Sequence, residues 1–339
     1  MDTEPLHPLS VLGDAPTLGN TPPSLQAPVQ PGFSTLAVSK GHGTENDFVI
    51  MGPEYSDLPL TPALVRFLCD RRAGLGGDGL LRVARAEELL ALGALTELPE
   101  GVEPDMWFMD YYNADGSVAE MCGNGIRVFG HFIRVNKLVT TEVFPVGTRA
   151  GVRELTLTDV TELEATVSVA MGSPKVLGVS TCTVGENRFA GLGVDVGNPH
   201  LACIVPDLTP DTLESLAVDR PIATDASFFP QGVNVEIATE LSRFSQQSTA
   251  SLGGVDQPLL GSLHMRVRER GAGETRSCGT GTVAAAVAAL ADAGIENGAV
   301  EVQVPGGSVV VTLQAGAATL TGPSRIVGAG YITVPEELV

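Results

Sequence analysis

Apolar residues in this chain fall mainly into short runs closed by Gly, Pro, Asn or Asp, the pattern of strands and turns. In the first half, strands are expected at 33–38, 48–51, 80–83, 106–112, 143–146 and 150–157. In the second they are expected at 165–169, 189–196, 201–205, 235–238 and 263–268. A meander over 300–304, 308–313 and 318–320 and a last strand at 326–332 close the chain. Helical spacing is sparser. Thr61 and Pro62 open a helix that runs to Cys69 and buries Leu64, Phe67 and Leu68, and 211–217 has a short helical pattern. Two further apolar helices are expected at 126–136 and 283–290.

Many strands, few long helices and no strand–helix–strand repetition argue against a doubly wound sheet or a TIM barrel. The expected class is α/β in the α+β sense. Two similar halves each wrap a curved, mostly antiparallel sheet or barrel around one central helix, and these helices start near Gly125 and Thr280. The boundary is placed near Leu163, giving units 33–162 and 163–325. Residues 1–32, rich in Pro, Gly, Ser and Thr, read as a flexible leader. The alternative is a start codon placed too far upstream. Segments 87–104 and 243–260 read as insertions.

Each central helix is preceded by the same device. Met121-Cys-Gly-Asn-Gly-Ile-Arg127 leads into the first, and Arg276-Ser-Cys-Gly-Thr-Gly-Thr282 into the second. A thiol at a helix start meets unpaired amides and the positive end of the helix dipole, which favour a thiolate. One cysteine with a histidine base, His42 or His200, would serve a protease or amidase, but leaves the second motif unexplained. A redox pair would ordinarily use Cys-x-x-Cys, which is absent, and the scattered histidines form no metal cluster. Small core cysteines beside glycine turns are the plain alternative. That reading is kept for Cys69, Cys182 and Cys203. A thiol from each half facing one carbon fits two-base proton transfer, with Cys122 and Cys278 exchanging the roles of base and acid. Helix-start amides of Gly123, Asn124, Gly279 and Thr280 would meet carboxylate charge, and Arg270 could grip a carboxylate.

Composition narrows the surroundings. A formal charge of -20 argues against nucleic-acid and acidic-membrane partners. Five cysteines, an odd count, fit a reducing compartment. The absence of Lys or Arg before Lys40 leaves no basic signal region, so cytoplasm is expected. The three lysines, Lys40, Lys137 and Lys175, lie in no cofactor motif, so no cofactor is called for. The loop Gly74-Leu-Gly-Gly-Asp-Gly79 lacks a Walker lysine and the dinucleotide spacing.

From Phe33 onward the chain closely resembles the diaminopimelate epimerases, cofactor-independent enzymes of lysine and peptidoglycan-precursor synthesis. The resemblance is carried by Gly41-His-Gly-Thr-Glu-Asn-Asp-Phe48, Asn113-Ala-Asp-Gly-Ser117, Met121 to Arg127, Gly197-Asn-Pro-His200 and Glu269 to Gly281. It implies Cys122 and Cys278 as the catalytic pair and Asn46, Asn113, Asn198 and Asn234 as substrate-binding amides. It further implies Glu269 and Arg270 on the substrate's amino and carboxylate groups, with His200 and Glu269 tuning the thiols. A homodimer, two units closing over a small-molecule substrate, and a last strand (326–339) returning to the first unit are implied too. Three positions depart from the family. Thr44-Glu45 stands where Leu-Gly is common, with Glu45 expected to face solvent. Ser277 replaces a common Ala and is expected to be tolerated. Gly79 stands where many members carry a substrate-contacting Gln, so backbone or water must take over that contact or it is not made.

Overall fold

The computed structural model describes residues 31–248 and 258–339. The leader expected at 1–32 lies outside this range except for its last two positions, as does the middle of the expected insertion at 243–260. The first half runs β1 (Phe33–Gly43), β2 (Asn46–Met51), α1 (Pro62–Cys69), β3 (Gly79–Arg85), α2 (Ala86–Leu92), β4 (Trp107–Asn113), α3 (Gly123–Val135), β5 (Val143–Thr148), β6 (Gly151–Thr158) and β7 (Glu164–Gly172). The second runs β8 (Lys175–Val184), β9 (Asn187–Asp195), β10 (Pro199–Val205), α4 (Pro210–Glu214), β11 (Ala223–Thr224), β12 (Asn234–Thr239) and β13 (Ser242–Ser248). It continues with β14 (Leu259–Glu269), β15 (Gly273–Thr275), α5 (Gly279–Asp292), β16 (Gly298–Val304), β17 (Gly307–Gln314) and β18 (Ala317–Pro335).

Strand pairing repeats between the halves. Strands β1 and β2 are antiparallel, β2 and β3 parallel, β3 and β4 antiparallel, β4 and β5 parallel, and β5, β6 and β7 antiparallel. The same sequence of senses joins β9, β10, β12, β14, β16, β17 and β18. In each set the central helix is inserted between the fourth and fifth strands. The duplicated cysteine motif is therefore the local sign of a duplicated fold.

Both central helices are enclosed by strands. Helix α3 is surrounded by β1, β2, β3, β4, β6, β7 and β18, and α5 by β9, β10, β12, β14, β16, β17 and β18. A helix enclosed this way must be apolar on all sides or find partners for every polar group it buries. Helix α5 meets the requirement with small residues: Ala284, Ala285, Ala286, Ala288 and Ala289 are all buried, which lets strands approach its axis. Helix α3 buries Ile126, Val128, Phe129, Phe132 and Ile133, each stabilising by about 1.5–3 kcal/mol. One continuous apolar cluster joins these to Leu81, Val167, Met265, Val283 and Val300.

The structure corrects the sequence expectation at four places. Lys175–Val184 forms β8 although the pattern predicts no strand there, because its outward Val176, Leu177 and Val179 are exposed and spoil the alternation. The expected insertion at 87–104 begins as helix α2, too short to show a period and capped by Glu88, whose carboxylate accepts from the Arg85 amide at 2.6 Å. The separate strands expected at 318–320 and 326–332 are one strand, β18. Pro323 lies inside it, still opposite Thr166 of β7, between Thr321, where β18 leaves β17, and Arg325, where it takes β1 as its partner. Both central helices begin earlier than expected, at Gly123 and Gly279, so each cysteine is itself the N-cap.

Beneath β4, Asp110 is fully buried between two cations. Its Oδ2 accepts from Arg82 Nε at 2.8 Å and its Oδ1 from Arg149 Nη2 at 2.6 Å. Removing this carboxylate strands the fully buried Arg82 guanidinium and unpairs the partly buried Arg149. Asp110→Ala is expected to lower the free energy of unfolding by about 3–5 kcal/mol, read from the urea midpoint. A loss under about 1 kcal/mol would show that water replaces the carboxylate there.

Candidate active site

The paired topology sets polar residues at matching strand ends. Asn46 opens β2, Gly79 opens β3 and Asn113 closes β4, with Phe48 opposite Gly79 and Gly79 opposite Asn113. In the other half His200 lies at the start of β10 opposite Asn234, the first residue of β12, and Glu269 closes β14. Each half thus offers one edge of polar side chains toward the start of its central helix.

The two helix starts touch. A Cβ on Gly123 would lie 3.0 Å from the Gly279 Cα, and one on Gly279 would lie 2.7 Å from the Gly123 Cα. Only a pair of glycines permits this approach, and it brings the flanking caps Cys122 and Cys278 to the same place. Polar side chains tie the junction. Asn124 donates from Nδ2 to Asn46 Oδ1 at 3.3 Å and to the Ser277 carbonyl at 3.1 Å. The Thr44 hydroxyl donates to Ser277 Oγ at 2.7 Å. Ser277, expected only to be tolerated, is part of the joint. Glu45 faces solvent as expected, at the rim of the joint, where it pairs with the exposed Arg276 of the other half. Thr44 and Glu45 both hold positive φ, +48° and +60°, a strained turn for these residues.

The thiols differ in surroundings. Cys122 Sγ accepts from the Gly125 amide at 3.3 Å and donates to Asn46 Oδ1 at 3.7 Å. Burial, together with the Glu269 charge, pushes it up to about 11. Cys278 is buried, with Thr280 Oγ1 at 3.5 Å from its sulfur. Burial first, then Glu269 and Glu236, raises it well above the usual thiol range. Glu269 is itself raised by burial and accepts from the Thr275 hydroxyl at 2.5 Å. His200 is enclosed, with Nδ1 2.7 Å from Glu236 Oε1 and Nε2 3.0 Å from Asn198 Oδ1. Asn234 accepts from the Arg270 amide at 2.8 Å and donates to the Pro199 carbonyl at 3.4 Å, while Arg270 Nη1 donates to the Gln231 carbonyl at 2.9 Å.

Four residues in this network escape the sequence reading. Asp78 accepts from Asn46 Nδ2 at 2.7 Å, which turns the Asn46 oxygen toward Cys122. Tyr111 donates its hydroxyl to Asn113 Oδ1 at 2.9 Å, and Asn113 Nδ2 donates to Ser117 Oγ at 3.0 Å. A Cβ at Gly79 would meet the Tyr111 ring at 2.6 Å, so the aromatic side chain fills the space a longer residue 79 would need. Glu236 abuts α5, where a Cβ on Gly281 would come within 2.6 Å of its Oε1. A carboxylate between Val235 and Ile237, inside an apolar strand, was the available signal. The fourth is Arg127, enclosed in α3.

A sequence profile described as Diaminopimelate epimerase matches residues 38–177 and 192–327. The chain belongs to the diaminopimelate epimerase family. It is 55% identical over 295 residues to the diaminopimelate epimerase of Corynebacterium aurimucosum, covering 87% of this chain and 99% of that one. It is 52% identical over 302 residues to that of Mycolicibacterium paratuberculosis, covering 88% and 97%. Among solved structures, a phenazine biosynthesis protein of the PhzF family from Bacillus anthracis superposes with a TM-score of 0.58 at 13% identity, covering 88% of this chain and 99% of that one. A hydroxyproline epimerase from Agrobacterium vitis gives 0.57 at 12% identity, covering 91% and 95%. At such identities the likeness is one of fold. Within the diaminopimelate epimerase pattern, the volume beside position 79 belongs here to Tyr111.

Two outcomes follow from the geometry. Gly279→Ala must push the helix starts apart, and kcat is expected to fall about a hundredfold while the fold loses only about 1–3 kcal/mol. Steady-state kinetics beside thermal unfolding checks the split. The second concerns pH. A Cys122 thiol raised from 9.0 to about 11 binds its proton more tightly folded than unfolded. Its contribution to stability is whole below about pH 9 and is lost as pH climbs toward 11. Denaturation midpoints across that window should fall less steeply in Cys122→Ala than in the unaltered protein.

Proposed function

We propose that this protein interconverts LL- and meso-2,6-diaminopimelate by proton transfer between two thiols, without a cofactor. The observation supporting this reading is the contact of Gly123 with Gly279, the residues that directly follow the two capping cysteines. One sulfur, as thiolate, takes the α-proton. The other, as thiol, delivers a proton to the opposite face, and inversion exchanges their roles. Negative charge gathering on the substrate carboxylate meets the amides of Gly123, Asn124, Gly279 and Thr280 at two converging helix dipoles. Asn46, Asn113, Asn198, Asn234 and Arg270 bind the zwitterion, with Tyr111 fixing the Asn113 amide. Glu269 and His200 adjust the thiols.

The two halves, with the last strand shared, close over the substrate and expel water. The protein acts as a homodimer in the cytoplasm. No helix among the described residues is long and apolar enough to cross a membrane.

Fully reduced protein incubated with LL-diaminopimelate in deuterated water is expected to yield the meso isomer carrying one α-deuterium. Cys122→Ser and Cys278→Ser should each lower kcat by at least about a hundredfold, with the two variants unequal in wash-in from the two isomers. Turnover of a proline derivative but not of diaminopimelate would reassign the substrate. Unchanged turnover in either serine variant would remove the two-thiol mechanism.

A further inference from the structure

Among the described residues Arg127 is a fully buried cation without a carboxylate partner. Arg82, equally enclosed, is neutralised by Asp110. Arg127 instead meets neutral oxygens. Its Nη1 donates to the Gly123 carbonyl at 3.1 Å and to Asn124 Oδ1 at 2.8 Å, its Nη2 to Thr44 Oγ1 at 3.3 Å and its Nε to the Pro323 carbonyl at 3.3 Å. The fold clears room for it. A Cβ on Gly43 would stand 2.9 Å from Nη2, and one on Gly322 would stand 3.1 Å from Nε. Neither glycine has positive φ, so space rather than backbone conformation excludes a side chain there. Burial lowers Arg127 only to about 10, so it remains a cation at neutral pH.

Such a charge is costly unless something negative faces it. The titratable group acting on it is Cys122, which caps the same helix. Facing Cys122 in turn are Glu269 of β14 and Tyr111 of β4, and Arg127 is the cation of this set. The corresponding position one turn into α5 is Val283, and the sulfur of that helix faces Glu236 and Glu269. The duplicated scaffold is thus electrically lopsided.

We propose that Arg127 is a positioning residue for the two-thiol reaction. It holds Asn124 and Thr44 in the bridge to Ser277 that sets the spacing of Cys122 and Cys278, and its positive charge is the counterweight to Glu269 at Cys122. This inference rests on the two-thiol reading above, but its first test needs no substrate.

In a Cys278→Ser background, the rate of Cys122 alkylation by iodoacetamide against pH, located by peptide mass mapping, reports its thiolate. Arg127→Met is expected to raise the midpoint by about one pH unit or more, a tenfold slower reaction at fixed pH below it. Arg127→Lys keeps the charge and should hold the midpoint while lowering kcat at unchanged KM. An Arg127→Met protein with native circular dichroism and an unmoved midpoint overturns the countercharge. Should Arg127→Met fail to fold, Arg127→Lys with Thr44→Val carries the test of spacing. Each of these two variants should cost about tenfold or more in kcat with the alkylation midpoint kept, and full kcat in both overturns the positioning role. If diaminopimelate is not the substrate, the alkylation shift stands and only the kinetic arm fails.

Discussion

Two helices begin against each other, glycine to glycine, and most of the molecule is arranged so that they can. Their positive ends point into one region, an unfavourable arrangement unless an anion occupies it. Strands wrapped around α3 and α5 hold the ends there, and the mutual contact of Gly123 and Gly279 leaves no slack. A geometry enforced by the core is ready for negative charge before any arrives. This is what stabilising a transition state, more than a ground state, requires.

How much of this was legible depended on how local each cause is. The cysteine motifs, the helix opened by Thr61 and Pro62, and most strands are written in adjacent residues, and the resemblance adds the asparagines. Strand β8 was not legible because its exposed Val176, Leu177 and Val179 hide the inward set. β18 was not, because Pro323 reads as a stop although the strand merely changes partners there. Tyr111 looks like core filling, Asp78 like turn polarity, and Arg127 like a solvated helix face. Their roles come from Asn113, Asn46 and Asn124, contacts that only the folded chain creates.

The halves share strand senses but not side chains. Helix α5 is nearly all small and apolar, whereas α3 encloses Arg127 and also His131, whose ring bonds Ser324 Oγ at 3.1 Å and the Thr161 carbonyl at 2.8 Å. Buried polar groups fixed by several partners specify one arrangement more sharply than apolar contacts do. The two halves are registered against each other through Thr44, Asn124 and Ser277.

The nineteen-residue β18 binds the two halves in time as well as in space. Its final stretch pairs Pro335 with Phe33 and Ile332 with Leu36, joining the first described strand to residues far along the chain. On the ribosome, β1 waits with an unpaired edge until β18 has been made, an opening for association with other chains. The closing strand is the seal on a sheet begun about three hundred residues earlier, and such a long-range pairing must form slowly.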